Sequence, residues 1–179
     1  MPEPKVVEIC AGAGGQSMGL ELAGFEHELA VELDPSACAT LRHNRPHWKV
    51  AQGDVASPAV WSPADYAGID LLAGGVPCPP FTIAGKQLGA TDERDLFAWA
   101  IELCGVVAPR ALLLENVRGL SLPRFAAYRQ HVCRFSSDLA NGSPLTWRTS
   151  SLLTDMASDP SHRSGQFLRP CSYTRIYVD

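Results

Sequence analysis

The chain lacks a C-x-x-C pair, an apolar run as long as the roughly 18 residues of a membrane helix, and any apolar stretch behind its start, Met1-Pro2-Glu3-Pro4-Lys5. The first absence speaks against a zinc ribbon or a disulfide framework. Cys10, Cys38, Cys78, Cys104, Cys133 and Cys171 are scattered singly through 179 residues, as expected of reduced thiols, and no metal centre is expected. The other two absences speak against a membrane span and a secretory leader, so a soluble, cytoplasmic protein without a membrane partner is expected. The spacing G-x-G-x-x-G is also missing, which disfavours a nicotinamide dinucleotide without excluding it. At 179 residues and 46% hydrophobic content, there is enough chain for one α/β domain and too little for two.

Charge is unevenly spread. Residues 1–117 carry 7 positive and 15 negative side chains, a balance of −8, whereas residues 118–179 carry 8 arginines and 4 aspartates, a balance of +4. An arginine-rich C-terminal third can meet phosphates, or can be the solvated face of a helix.

What is present begins with a strand, a glycine loop and a helix. Lys5–Cys10 reads as a short buried strand running into Ala11-Gly12-Ala13-Gly14-Gly15, with a helical pattern from about Gln16. Glycines at that point let a ligand approach the backbone and leave helix N-terminal N–H groups free to hold it. A second apolar strand, Leu29-Ala30-Val31, ends in Glu32, placed to accept from a ribose diol, while Asp34 suits the start of a helix over Ser36–Asn44. A third, Trp48–Ala51, ends in Gly53-Asp54, where Asp54 either accepts from an adenine amino group or simply serves a turn. Acids and glycines at successive strand ends converge on one crevice of a doubly wound sheet, a site suited to a nucleoside-containing cofactor.

The fourth strand, Ile69–Ala73, leads into Gly74-Gly75-Val76-Pro77-Cys78-Pro79-Pro80-Phe81-Thr82. Proline fixes its own φ and restricts the residue before it, so three prolines leave Cys78 few conformations. That is either a nucleophile held for attack in one geometry or a proline-rich turn that happens to contain a cysteine. Residues 83–92 lack apolar periodicity, as a lid or an ordinary long loop would. A helix opening at Glu93-Arg94-Asp95 runs to Val107-Ala108, and a fifth strand, Ala111–Leu114, ends in Glu115-Asn116-Val117. A carboxylate directly after a buried strand is expected to hold a proton near neutral pH and act as an acid, or else to cap the next helix.

In order and spacing, Cys10-Ala11-Gly12-Ala13-Gly14-Gly15, Glu32, Gly53-Asp54, Pro77-Cys78, Arg94-Asp95-Leu96 and Glu115-Asn116-Val117 resemble the DNA (cytosine-5)-methyltransferases over roughly residues 5–130. The resemblance implies a Rossmann-like, doubly wound methyltransferase sheet that uses S-adenosylmethionine. Cys10, Ala11, Gly12, Gly14, Gly15, Glu32, Asp54, Pro77 and Leu96 would hold the cofactor. Cys78 would be the nucleophile and Glu115 its acid partner, acting on a cytosine flipped from double-stranded DNA. A zinc deaminase, which also carries Pro-Cys, would need a second cysteine where Phe81 stands.

The pattern weakens towards the C-terminus. A helix is expected over about Leu122–Leu139, with Phe125, Tyr128, Val132 and Phe135 on one face. The family's Gln-x-Arg-x-Arg element is matched only by Gln166…Arg169 and, after a gap, Tyr173-Thr174-Arg175-Ile176-Tyr177-Val178. Asn116, Arg169 and Arg175 are the substrate-binding candidates. The resulting expectation is a methyltransferase core over 1–140, a divergent segment of the same domain over 141–179, a sheet incomplete at its C-terminus, and neither a target-recognition domain nor a closing helix before Asp179. Partners would be DNA, a second polypeptide supplying the missing parts, and a cognate restriction endonuclease. The rival readings are an inactive remnant or cofactor-binding module of the family and, remotely, a nicotinamide-dependent oxidoreductase.

Overall fold

A computed structural model describes residues 2–77, 96–117, 123–128, 130, 145–148 and 173–178, the last two stretches by backbone alone. Seven strands form one sheet. In chain order the elements are β1 (Lys5–Ile9), α1 (Gly15–Leu22), β2 (Glu26–Glu32), α2 (Pro35–Asn44), β3 (Val50–Gln52), β4 (Leu71–Gly74), α3 (Leu96–Val107), β5 (Ala111–Val117), β6 (Leu145–Arg148) and β7 (Tyr173–Val178). The sheet order is β3-β2-β1-β4-β5-β7-β6. Strands β1 to β5 are parallel, and β7 runs antiparallel between β5 and β6. The chain winds outward from β1 to β3 and then restarts on β1's other side with β4, which makes the β1/β4 boundary a topological switch point.

Parallel strands covered on both faces bury both sets of side chains. In β1, Val7 and Ile9 join the larger core with Leu72, Leu112, Leu114 and the α3 residues Phe97 and Ile101, whereas Val6 packs with Leu20 of α1 on the other face. Phe125 and Tyr128, expected on one helix face, both pack on the larger core; Val132 and Phe135 lie outside the described residues. Residues 56–68 run as turns, with a single 3-10 turn at Pro63–Tyr66. That crossover is pinned by Trp61, whose Nε1 donates to the Val55 carbonyl at 2.8 Å.

Between β1, β2 and the helices lies a polar column that sequence reading did not single out. Glu8 and His27 are buried with their side chains 3.2 Å apart, Trp48 stacks on the His27 ring at 3.9 Å, and Arg45 lies over Trp48 and pairs with Glu21 of α1. The half-exposed Arg45–Glu21 pair contributes little in water, about 0–1 kcal/mol. The inner pair is different: both side chains are fully buried, so loss of one partner leaves a polar atom of the other without its hydrogen bond in the interior.

Asp34 is the N-cap of α2, its Oδ1 accepting from Ala37 N at 2.8 Å, with Pro35 at the first helical position. Asp34→Ala is expected to cost about 1 kcal/mol, the usual worth of such a cap. It should leave ligand binding in the neighbouring crevice unchanged. Chemical denaturation run beside calorimetric titration checks both halves.

Candidate functional site

Two glycines set the backbone of the crevice. Gly14 has φ 96° and caps α1, and a Cβ there would fall 2.8 Å from Leu41 Cδ2. Gly74 ends β4 so close to β1 that a Cβ would lie 2.7 Å from the Ile9 carbonyl oxygen. Cys10, at φ 51°, adopts the left-handed region although it is not glycine, a cost in strain that concentrates at functional turns. Its thiol is pushed up to about 12 by burial and by the Glu32 and Asp54 carboxylates nearby. Cys10 is therefore a neutral wall at physiological pH, not a nucleophile.

At the carboxyl ends of β1 to β4 lies a cavity of about 340 Å³, lined by residues from each of those strand ends and by Leu96 of α3. Of the residues singled out in the sequence, Cys10, Gly12, Glu32, Asp54, Pro77 and Leu96 line it. Ala11, Gly14 and Gly15 do not: Ala11 is buried and donates its N–H to the Val31 carbonyl, Gly14 packs on Leu41, and Gly15 opens α1.

Glu32 is engaged in the structure itself. Its Oε2 accepts from Gly12 N at 2.7 Å and its Oε1 from Asp34 N at 2.7 Å. The carboxylate thus ties the glycine loop to the turn after β2. Each oxygen keeps a further lone pair for a ligand hydroxyl. Asp54 serves a turn, its Oδ1 accepting from Ala56 N at 2.9 Å, and the residue also borders the cavity.

Glu115, on β5, lies beside a residue that lines the cavity. A Cβ built on Gly75, which lines the cavity, would stand 3.5 Å from Glu115 Oε2 and 3.7 Å from the Cys10 carbonyl. Asn116, the next residue, is 3% exposed and donates from Nδ2 to the Val76 carbonyl at 3.1 Å. Cys78, Arg169 and the 83–92 loop lie outside the described residues, as do Arg94 and Asp95. Arg175 sits in β7, where the backbone register sets it opposite Glu115.

Val31, Leu33, Val55 and Gly75, which sequence reading did not assign to the cofactor site, also line the cavity, as does Gly53, which it set at a strand end beside Asp54. Leu33 is the one with a legible signal. It is a large apolar side chain, 66% exposed, inside the acidic turn Glu32-Leu33-Asp34-Pro35, where a solvated loop has no use for it.

A family model of C-5 cytosine-specific DNA methylases matches residues 4–138. The chain belongs to that family. It is 65% identical over 148 residues to the Type II methyltransferase M.NaeI of Lentzea aerocolonigenes, covering 83% of this chain and 35% of that protein. It is 60% identical over 126 residues to the Type II methyltransferase M.NgoMIV of Neisseria gonorrhoeae, covering 70% of this chain and 39% of that one. This methylase-family chain therefore spans little more than a third of those relatives. Among solved structures, a Spodoptera frugiperda DNMT2 mutant matches 98% of the chain and 49% of its own length at a TM-score of 0.62 and 21% identity. The S. pombe Dnmt2 methyltransferase matches 98% and 48%, with a TM-score of 0.63 and 16% identity. At such identities the likeness is one of fold. It agrees with the doubly wound methyltransferase sheet expected from the motifs. Among the described residues no group of side chains could hold a metal ion, and no helix is long and apolar enough to cross a membrane.

Proposed function

We propose that this chain is the cofactor-binding and catalytic part of a DNA (cytosine-5)-methyltransferase, with residues 1–140 as the core and 141–179 as a segment of the same domain. The observation that carries the reading is the cavity at the β1/β4 switch point, lined by Glu32, Asp54 and Gly75, the last of which neighbours the Glu115 carboxylate. About 340 Å³ lies in the range of small-molecule sites. Its donor set suits a nucleoside: Glu32 for the ribose diol, Asp54 for the adenine amino group, and the exposed Leu33 as the apolar surface that an adenine ring would cover. When bound there, S-adenosylmethionine supplies an electrophilic methyl group.

The chain's own residues account for the rest. Carbon 5 of cytosine is a poor nucleophile, so the Cys78 thiolate adds to C6, the C5–C6 double bond is lost, and its electrons form a C4–C5 enamine as N3 takes up a proton. Glu115 holds a proton against ring N3 and stabilises the charge that addition develops there. C5 gains the methyl group and loses its proton to a base; the C6–S bond then breaks, returning the thiolate and restoring the ring. A stacked base exposes neither face to a thiol, so the cytosine is flipped from duplex DNA. Arg169 and Arg175 serve the flipped nucleotide and its phosphates. The protein works in the cytoplasm beside a restriction endonuclease, and a second polypeptide supplies target recognition and closes the cofactor site.

A second reading is a cofactor-binding module of the same family without catalysis. Calorimetric titration with S-adenosylmethionine and with NAD is the first test. Saturable binding of S-adenosylmethionine and none of NAD is expected, and the reverse would replace the methyltransferase with an oxidoreductase. Incubation with S-adenosylmethionine and 5-fluorocytosine duplex DNA follows, with and without a basic polypeptide encoded downstream. A covalent adduct under either condition supports the enzyme; binding without any adduct supports the module.

A further inference from the structure

We propose that Trp61 is a positioning residue for the base-reading carboxylate of the cofactor cavity: its indole N–H holds one end of the Val55–Ala56 peptide group, and the other end of that group holds Asp54. This role depends on the proposed function, in which Asp54 accepts from the adenine amino group.

Residues 54–61 leave the end of β3 and fold back on themselves. The Asp54 carbonyl accepts from Ser57 N at 2.9 Å, and the Ser57 carbonyl from Val60 N at 3.1 Å. At the root of this turn Gly53 has φ 150°, and a Cβ there would fall 2.5 Å from Val60 Cγ2, so glycine lets the returning chain close on the strand end. Trp61 completes the return. It is 7% exposed, and its Nε1 donates to the Val55 carbonyl at 2.8 Å. A buried indole N–H needs an acceptor, but many carbonyls would satisfy it; the one it takes is coupled to the cavity.

The Val55 oxygen and the Ala56 N–H are the two ends of one planar peptide group. Its N–H end donates to Asp54 Oδ1 at 2.9 Å. Rotation of that group about the ψ of Val55 and the φ of Ala56 would swing the N–H off the carboxylate, and the indole at the carbonyl end opposes it. Accepting at the oxygen also polarises the group and strengthens its N–H as a donor. With Oδ1 held, the rigid carboxylate presents Oδ2 in one direction, as recognition of a single amino group requires. Val55 packs with Trp61 in the larger core and itself lines the cavity, so the same clamp sets the wall beside the acid.

The test separates the donor from the ring. Trp61→Phe keeps an aromatic ring without the N–H, whereas Trp61→His keeps a ring nitrogen at the position of Nε1 and loses much of the packing. Each variant and the unmodified chain are titrated calorimetrically with S-adenosylhomocysteine and with its analogue carrying hydrogen in place of the adenine amino group. The unmodified chain is expected to prefer the amino compound by about 30-fold, the worth of one hydrogen bond to a charged group. In Trp61→Phe that preference should fall about tenfold through weaker binding of the amino compound, with the analogue held within about twofold. In Trp61→His it should stay within about threefold of the unmodified value. A preference unchanged in Trp61→Phe overturns the role, as does equal weakening of both compounds, since a merely structural ring would loosen both alike. Loss of the preference in Trp61→His as large as in Trp61→Phe overturns it too. Should the variants prove unfolded by circular dichroism, the Trp61 indole proton of the unmodified chain decides. Its NMR signal is expected to shift with the amino compound and to stay in place with the analogue, and an equal response to both overturns the role. Failure of the unmodified chain to bind either compound would instead remove the proposed function, and this role with it.

Discussion

Cys78→Ser is expected to remove the covalent complex with 5-fluorocytosine DNA entirely, under conditions in which the unmodified chain is trapped. Fluorine at C5 cannot leave as a proton does, so the adduct persists after methylation if the thiol has added to C6. A serine hydroxyl, with no base shown to activate it, does not add. Glu115→Gln should slow trapping by at least about tenfold, the low end for a lost acid–base group. The two substitutions probe different steps: the first deletes the bond that forms, the second the proton that makes its formation affordable. Rate measurements at several pH values separate them. An adduct that survives Cys78→Ser would place the nucleophile elsewhere, and an unchanged rate in Glu115→Gln would take Glu115 out of the mechanism.

Glu32→Ala is expected to weaken S-adenosylmethionine binding about 100-fold, or roughly 2.7 kcal/mol by the relation between affinity and free energy. The size follows from what the carboxylate does with and without ligand. It holds Gly12 N and Asp34 N at 2.7 Å each, and hydrogen bonds to a charged group are each worth about 1.5–3 kcal/mol. Alanine therefore removes the proposed ribose acceptor and also releases the glycine loop that shapes the cavity. Glu32→Gln should fall between the two. Both carboxylate oxygens face N–H donors, so whichever way a carboxamide is turned, its NH2 group meets another N–H. Calorimetric titration of the three proteins provides the check. A loss of less than about threefold in Glu32→Ala would mean that the ligand does not use this corner of the cavity.

The alternation of buried strands with glycine and acidic punctuation was enough to place β1 to β5, because a parallel sheet needs continuous apolar strands and its ligands gather at their carboxyl ends. Leu145–Arg148 was not legible as a strand: four residues carry too little pattern to stand out, and β6 is paired only through β7. The Glu8–His27 pair was equally hidden. The partners are 19 residues apart, and an acid within an apolar run gives no sign of the histidine that will meet it.

The site divides along the same line. Sequence by itself determined which chemical groups stand at which strand ends: the glycine loop, Glu32, Asp54, Pro77 and Glu115. These are local properties, since spacing along a strand fixes where a side chain enters the crevice. Only the tertiary structure decided what those groups do to one another. It joined Glu32 to Gly12 across two strands, brought the Glu115 carboxylate against Gly75, and turned Asn116 away from its neighbour to grip Val76. Each of those contacts depends on strand register and on the face a side chain takes, and neither is settled until the strands have paired.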